Sequence, residues 1–471
     1  MRGNDFEGAL DSFLDSYYRL MRSEDSALIG ARTVAFMNFP SWFPPLVEMM
    51  TRKKLAAFVS KLVSDVPFCD KRTFNVQKMY VLSSLANSVL SVDPETRPIV
   101  GKVVVEQVIL LLELENVSAE ERRECVATIF VLVEVAQRLS DEPMALRELY
   151  VVHLLPYLIA LVDEFQADAE STLDSVMCVL AILRLCDAAT FALMLKAQPS
   201  RNRQLAFVVS LCRFLSSLLL SARASFPENW FALQMFLADT VVHTATVLLG
   251  ESELRTIVAE LQASSRAIRD APNKRVGGGG GAGGGGGDAS AQPQRELVRS
   301  SVVQGVITGD VDSLLVMAFE EYIKLMVNGI TFKALALEHF SDAKRRMVTE
   351  SFPDFRLVLL SALTQAWEKL KLQQLRFISQ LVGPFLELVM VKERSIRECG
   401  LDLYFSILER EFQRRTSFVG VESQTIDALD KIINEGLGSE ANVGVIQDFR
   451  DFFVGQLGSR FEHSGNQPLA A

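Results

Sequence analysis

Motifs for metal binding and nucleophilic catalysis are missing from this sequence. No H-E-x-x-H occurs, no two histidines share a helix face, and no Cys/His cluster has the spacing of metal ligands. A G-x-S-x-G motif, which marks the nucleophile of many hydrolases, is also absent. The histidines are His153, His243, His339 and His463. The sequence therefore predicts no metal site, no cofactor and no catalytic residues.

The chain also lacks features of secreted and membrane-spanning proteins. Its first residues, M-R-G-N-D-F-E-G-A-L-D-S-F, contain no apolar signal core. The two most apolar stretches are Tyr150–Val162, which is short and contains a proline, and Leu205–Leu220, which carries Arg213. Both are more typical of buried helices than of membrane spans. We therefore expect a cytoplasmic protein without direct membrane insertion.

Paired cysteines are missing as well. None of the six belongs to a C-x-x-C pair, and most lie within apolar runs, where a free cysteine behaves as a small hydrophobic residue. They are Cys69, Cys125, Cys178, Cys186, Cys212 and Cys399. We expect most of them to be buried and reduced, as in proteins of a reducing compartment.

An excess of positive charge is not present either. The net charge is −10, whereas binding to nucleic acid needs a concentrated basic face. Short basic clusters occur at Arg52–Lys54, Lys344–Arg346 and Arg414–Arg415. We interpret them as solvated helix ends or faces, because cations are favourable near helix C-termini. No nucleic-acid partner is predicted.

Apolar residues with a helical period of 3.6 are what the sequence has in abundance. Many segments, such as Val103–Leu112 and Val126–Ala136, are apolar over more than half of the helix circumference and need cover on several sides. Stacked units of two or three helices, about 40 residues each, provide that cover. The sequence predicts an all-α, armadillo/HEAT-like α-solenoid of degenerate helical repeats. The predicted helices span about 6–22, 46–64, 75–91, 98–114, 118–139, 146–165, 171–194, 203–222, 228–248, 251–268, 310–329, 354–371, 374–382, 384–392, 396–413 and 443–457.

Helix Ile396–Gln413 shows the pattern most clearly. One face is predicted to be apolar and buried, with Ile396, Cys399, Gly400, Leu403, Ile407 and Leu408. The opposite face is predicted to be exposed, with Arg397, Glu398, Asp402, Glu409 and Gln413.

A glycine tract interrupts the helical pattern. Gly277–Gly287 contains ten glycines and one alanine, without the preceding strand or the Lys-Ser/Thr of a phosphate-binding loop. We interpret it as a flexible linker or as an insert between two helices. The predicted organisation is a helical scaffold over 1–270, a Gly-rich insert over 271–296, a second part of the scaffold over 297–460 and a disordered tail over 461–471.

Three segments rich in aromatic residues are expected to pack inward. The stretch F-M-N-F-P-S-W-F-P-P at Phe36–Pro45 is more typical of a turn that fills a core than of a partner-binding segment. Trp230 follows a helix start in F-P-E-N-W, and Trp367 lies within an apolar helix. Both tryptophans are predicted to be core residues.

Four segments near the end of the chain carry a family resemblance. In chain order they are E-H-F-S-D-A-K-R-R at Glu338–Arg346, F-I-S-Q-L-V-G-P-F-L-E-L at Phe377–Leu388, E-R-E-F-Q-R-R-T-S-F at Glu409–Phe418 and V-E-S-Q-T-I-D-A-L-D at Val421–Asp430. Together with F-P-E-N-W they cover about Gln204–Gly438 and resemble the helical middle region of the DOCK (dedicator of cytokinesis) proteins.

That resemblance implies a scaffold within an exchange factor for Rho-family, Rac-type small GTPases. The family's exchange domain lies C-terminal to this region, and we expect it to be absent from this chain, so the chain itself is not expected to be an enzyme. The implied partners are a GTPase reached through a neighbouring exchange domain and protein adaptors, with oligomers possible through the rest of the family architecture. No GTPase-contacting residue carries over, and the glycine tract departs from the family pattern. The alternative is a generic helical-repeat adaptor unrelated to nucleotide exchange.

Overall fold

The described part of the protein is helical throughout. The computed structural model describes residues 3–114, 117–138, 149–164, 169–225, 231–250, 253–270, 310–436 and 447–456, and these contain helices and turns without a β-strand. The all-α prediction is therefore confirmed. The glycine tract, the predicted tail over 461–471 and Trp230 lie outside the described residues.

The first of two units spans Met1–Ala197. Its helices are α1 (Gly3–Arg22), α2 (Ile29–Asn38), α3 (Phe43–Met49), α4 (Arg52–Asp65), α5 (Arg72–Ala86), α6 (Val89–Val92), α7 (Arg97–Leu112), α8 (Ala119–Arg138), α9 (Leu155–Glu164), α10 (Ala169–Leu185) and α11 (Ala188–Ala197). A π-helical turn, Tyr150–Leu154, leads into α9.

Helices three positions apart in the chain pack against each other in this unit. Helix α5 lies against α2 and against α8, while α4 lies against α7. Helices α2, α5 and α8 begin at residues 29, 72 and 119, so that successive starts are 43 and 47 residues apart. This spacing agrees with the three-helix repeat of armadillo proteins, and it confirms the prediction of degenerate repeats about 40 residues long.

A capping box and a group of buried aromatic residues stabilise helices of this unit. Ser118 and Glu121 form a capping box before α8: Glu121 Oε2 accepts from Ser118 N at 2.8 Å, and Ser118 Oγ accepts from Glu121 N at 3.3 Å. Phe36 in the last turn of α2, Phe39 in the turn that follows and Phe43 at the start of α3 are buried, while Trp42 is partly exposed. The prediction that this aromatic stretch packs into the core is therefore confirmed for its three phenylalanines.

The second unit spans Gln198–Ala471. Its helices are α12 (Arg201–Ser225), α13 (Phe231–His243), α14 (Glu253–Asp270), α15 (Val311–Ile330), α16 (Asp342–Ser351), α17 (Phe355–Leu370), α18 (Ile378–Val389), α19 (Arg394–Arg415) and α20 (Val419–Gly436). A π-helical turn, Thr244–Leu248, continues α13, and residues 447–456 are also helical.

Helices on the two sides of the glycine tract pack together within this unit. Helix α15 lies against α12 and α14, which precede the tract. Tyr322 Oη donates to the Ala245 carbonyl at 2.9 Å, and Ser264 Oγ donates to Asp312 Oδ1 at 2.7 Å. The helical packing therefore continues across the position of the tract. The division of the chain at 271–296 stays a prediction.

The predicted polarity of α19 is wrong at Arg397. We expected an exposed side chain, but Arg397 is only 7% exposed. It donates to Asp448 Oδ2 at 2.8 Å and to the Val391 carbonyl at 3.0 Å, and its guanidinium lies 4.9 Å from the centre of the Phe452 ring. Helix 447–456 covers this face of α19, so that both faces are partly buried.

Among the described residues, two helices are long and apolar enough to cross a membrane by length and composition alone, or three if the bent pair Asp174–Leu185 and Ala188–Ala197 is taken as one span. The first two are Arg201–Leu220 and Phe231–Leu248, and 72% and 44% of their respective windows are buried inside the protein. The burial agrees with the interpretation of Leu205–Leu220 as a core helix. The absence of membrane insertion stays a prediction.

Candidate functional site

A groove of about 920 Å³ lies on the second unit where three helices meet. Helices α15, α18 and α20 form its walls, and α12 contributes Leu220 at one end. Residues on its walls include Lys324 and Asn328 from α15, Gln380, Gly383, Pro384 and Glu387 from α18, and Ala428 and Lys431 from α20. Concave surfaces of this size are the usual places for ligands and partners.

The wall formed by α18 contains the V-G-P-F-L-E motif of the family resemblance. Val382, Phe385 and Leu386 are buried in the core, whereas Gly383, Pro384 and Glu387 face the groove. The motif therefore divides into an inner apolar face and an outer face that shapes the groove. This division follows from the helical period, since residues three and four apart share one face.

Two hydrogen-bond acceptors of Gln380, close to Pro384, lack a donor. A proline inside a helix lacks the amide that would donate to the carbonyl four residues earlier, which here is that of Gln380. The side-chain oxygen Oε1 of Gln380 is also buried and has no hydrogen-bond partner. This part of the wall therefore suits a ligand that donates hydrogen bonds, such as a peptide amide.

Charges of both signs line the groove. Lys324 forms a salt bridge with Glu320 one helical turn away, while Lys333 is exposed on the rim. Glu387 contributes a second carboxylate. The groove thus combines these charged groups with the apolar side chains of Val327 and Met390. Such a surface suits non-covalent binding of a polypeptide that has both polar and apolar side chains.

Trp367 packs against α18 in the core, which confirms the prediction that it is a core residue. Its side chain is buried and meets the Phe385 ring edge-on, with the ring centres 5.1 Å apart. Its indole Nε1 donates to Ser406 Oγ of α19 at 2.7 Å. The aromatic contact and the hydrogen bond fix the positions of α17, α18 and α19 relative to one another.

A buried carboxylate positions α20, the third wall. Glu411 is fully buried on α19, and its Oε2 accepts from the backbone amide of Val421 in the first turn of α20 at 2.8 Å. Arg415 donates to the other oxygen at 3.2 Å. Gly420 is needed for this approach, because a Cβ there would lie 2.3 Å from Glu411 Oε1. These residues fall within or beside two segments of the family resemblance.

The first unit contains a buried lysine that has no carboxylate partner among the described residues. Lys78 Nζ donates to the Val66 carbonyl and to Gln107 Oε1, both at 2.6 Å, and lies 3.9 Å from the centre of the Phe68 ring. Burial lowers the pKa of Lys78 to about 7, while the nearby Cys69 thiol acts in the opposite direction. The role of this lysine could not be recognised from the sequence, since its neighbours become adjacent only in the fold.

The remaining predicted residues are placed as follows. Cys125, Cys178, Cys186 and Cys212 are buried, and burial raises the pKa of each thiol. Cys69 and Cys399 are partly exposed, so the prediction of burial is confirmed for four of the six.

In the part of the chain that the structure describes, no group of three His, Cys, Asp or Glu side chains could hold a metal ion. Arg52, Lys54, Arg345 and Arg415, from the three basic clusters, are about half exposed.

Comparison with known proteins identifies the region. A family profile described as the "Dedicator of cytokinesis (DOCK) TPR region" matches residues 1–260 and 310–448. Dedicator of cytokinesis protein 3 of Mus musculus is 22% identical over 465 residues, which are 94% of this chain and 20% of that protein. Dedicator of cytokinesis protein 4 of Mus musculus is 20% identical over 433 residues, which are 88% of this chain and 19% of that protein.

The chain thus spans about a fifth of the length of these relatives. The family profile matches segments of both structural units, on both sides of the glycine tract. The match extends over most of the chain, including the residues before Gln204, which the resemblance of the motifs did not cover. The chain belongs to the dedicator of cytokinesis (DOCK) family, within the TPR region of that family.

Proposed function

We propose that this chain is a scaffold region of a guanine nucleotide exchange factor for Rho-family, Rac-type small GTPases, acting in small-GTPase signalling in the cytoplasm. The observation that carries the proposal is the family match over residues 1–260 and 310–448. Within each unit, the packed helices provide a support of the kind that helical-repeat proteins use to bind other proteins.

In this role the chain positions other domains and proteins, and it does not act on the nucleotide itself. The family's exchange residues lie in a domain C-terminal to the helical region, so we expect no exchange activity from residues 1–471 alone. The groove between α15, α18 and α20 is a surface suited to a protein partner, because apolar, charged and hydrogen-bonding groups line a concave space.

A nucleotide-release assay tests this proposal. Purified residues 1–471 are added to a Rac-type GTPase loaded with fluorescent nucleotide, and an exchange domain of the family serves as the positive control. We expect the intrinsic release rate with the chain alone, together with measurable binding between the chain and the separately expressed exchange domain. Release well above the intrinsic rate would show that the chain carries an exchange surface of its own.

Two variants relate that binding to the groove. Lys333→Glu changes an exposed charge on the groove rim, while Lys102→Glu makes the same change on α7, where the side chain is 68% exposed. If the partner occupies the groove, Lys333→Glu weakens binding and Lys102→Glu does not. Equal affinities for both variants would place the partner on another surface.

A further inference from the structure

A serine follows two adjacent arginines at the end of α19. The residues from Arg414 to Phe418 read R-R-T-S-F, with Ser417 in fourth place. Nowhere else in the sequence does a serine or threonine stand two residues after a pair of adjacent arginines. Protein kinases select their substrates partly by charge, and one large class prefers arginine three and two residues before the serine and an apolar residue after it. The segment therefore has the charge pattern of a kinase substrate.

Both arginines are accessible from solvent. They lie in the last turn of α19 and are exposed. Arg414 forms no ion pair among the described residues, while Arg415, with a side chain that is 61% exposed, donates to Glu411 at 3.2 Å. An exposed guanidinium loses little when it exchanges such a contact for a carboxylate of another protein. The acidic substrate cleft of a kinase therefore meets two available cations here.

The serine lies in a short connection that can open locally. Thr416 ends α19 at a φ of 51°, and α20 begins at Val419. Ser417 is partly exposed, and its Oγ accepts from the Val419 amide at 3.3 Å. A kinase binds its substrate as an extended segment, so the last turn of α19 must unwind and Phe418 must leave its stacking contact with Phe412. Helix ends open at a low free energy, and extension also relieves the left-handed backbone of a β-branched residue.

We propose that Ser417 is a phosphorylation site for a protein kinase that selects arginine three and two residues before the serine. In the reaction Ser417 Oγ forms a bond to the γ-phosphorus of MgATP, and the bond from that phosphorus to the oxygen of the departing ADP breaks. The hydroxyl proton passes to a carboxylate of the kinase. The serine then carries a phosphate with a charge of about −1.5 to −2 at pH 7.

Positive groups surround the position of the new phosphate. Helix α20 begins two residues later, and the amides at a helix start attract anions. Arg415 reaches this start, since its Nη1 lies 3.3 Å from the position of a Cβ added to Gly420, and Arg414 is a second guanidinium in the same turn. Glu411 opposes the attraction, but Arg415 already donates to its carboxylate. We therefore expect the phosphate to gain charge-assisted hydrogen bonds and to stabilise the junction of α19 and α20.

Phosphorylation of the folded chain tests the proposal. Residues 1–471 are incubated with labelled MgATP and the catalytic subunit of a cyclic-AMP-dependent protein kinase, which has this arginine preference, and mass spectrometry locates the phosphate. We expect stoichiometric incorporation at Ser417 and none at this position in Ser417→Ala. Incorporation confined to other residues would overturn the proposal.

Two arginine variants test how the site is recognised. Arg414→Gln removes one cation of the motif and is expected to lower the initial rate at least about tenfold. Arg394→Gln makes the same change of charge at the other end of α19, where the side chain is 86% exposed, and is expected to keep the rate within about twofold. An equal loss in both variants would show that the kinase responds to net charge alone, and an unchanged rate in Arg414→Gln would show that the arginine is not read.

A peptide of residues 409–420 provides the reference for an accessible serine. If the kinase modifies the peptide but not the folded chain, the site is closed in the protein and the proposal fails. Thermal unfolding of the phosphorylated and unmodified chains then tests how the phosphate is held. We expect the midpoint to rise by about 2 °C. An unchanged or lower midpoint would overturn the expected contacts of the phosphate with Arg414, Arg415 and the start of α20.

Discussion

Replacing Gly400 with alanine tests the close packing of α18 and α19. A Cβ at this position would lie 2.7 Å from Leu388 Cβ and 3.1 Å from Val389 N. The second of these atoms is backbone, so a side-chain rotation cannot relieve the contact. Helix α18 would have to move away from α19, and α18 is also a wall of the groove.

Two opposing effects set the magnitude. Alanine is favoured over glycine inside a helix by about 1 kcal/mol. Overpacking a well-filled core costs about 1–3 kcal/mol, and we take the upper end because backbone atoms are involved. The expected net loss in the free energy of unfolding is therefore about 2 kcal/mol.

Urea unfolding followed by tryptophan fluorescence measures this loss. Trp367 is buried against Phe385 of α18 and reports on the second unit, and a Trp42→Phe background removes the tryptophan signal of the first unit. Gly455→Ala is the matched control in the same unit, because no atom lies within 4 Å of its added Cβ. We expect the control to be neutral or stabilised by up to about 1 kcal/mol. A Gly400→Ala protein as stable as this control would refute the close approach of the two helices.

Three further changes test the structure. Trp367→Ala is expected to lower the free energy of unfolding by about 3–5 kcal/mol in the same urea assay, and a neutral result would contradict its role as a core residue. Glu411→Ala leaves the buried Val421 amide without its acceptor and should cost about 1–3 kcal/mol. Combining it with Gly420→Ala should cost less than the sum of the single changes, because the Glu411 carboxylate is what the new Cβ would strike; strict additivity would argue against that contact. The pKa of Lys78 is about 7 when folded and near its ordinary value of 10.5 when unfolded, so the unfolded state binds more protons above pH 7 and stability rises with pH. Between pH 7 and 8.5 the slope contributed by Lys78 approaches about 1.4 kcal/mol per pH unit, and Lys78→Met should abolish it; an unchanged slope would assign the effect to other groups.

Helices with a broad apolar face were predictable from the sequence. Helix α15 was expected at about 310–329 and spans Val311–Ile330, with a dozen buried residues along its length. Helix α12 was expected at 203–222 and spans Arg201–Ser225. Periodicity succeeds here because burial on several sides imposes apolar residues at almost every turn.

Helices with little buried surface were missed. Helix α16 buries only Val348, so it shows no apolar stripe, and the one available signal was Ser341, whose side chain caps its first turn. Helix α20 buries Val421 in its first turn, and the amide of Val421 donates to Glu411, a residue on another helix. Helix α2 was missed as well. Such helices are held by caps and tertiary contacts, which periodicity does not record.

Proline led to a wrong boundary in α18. We predicted two helices, at about 374–382 and 384–392, but one helix runs from Ile378 to Val389 with Pro384 inside it. The preceding residues, Lys371–Phe377, form a 3₁₀ turn, so that Pro384 lies only in the second turn of the α-helix. The carbonyl that it leaves without a donor belongs to Gln380, on the groove side of the helix.

The groove itself could not be predicted, because its three walls come from segments far apart in the chain. Its surroundings nevertheless explain why the family resemblance could be seen. The V-G-P-F-L-E motif supplies a groove wall, the neighbouring segment supplies Glu411, and Phe412 stacks on Phe418 with ring centres 5.0 Å apart. Thr416 ends α19 in the left-handed conformation and turns the chain towards α20. These residues fix how three helices meet. A resemblance that rests on such residues identifies an architecture, so the function it supports is that of a support for other domains and proteins.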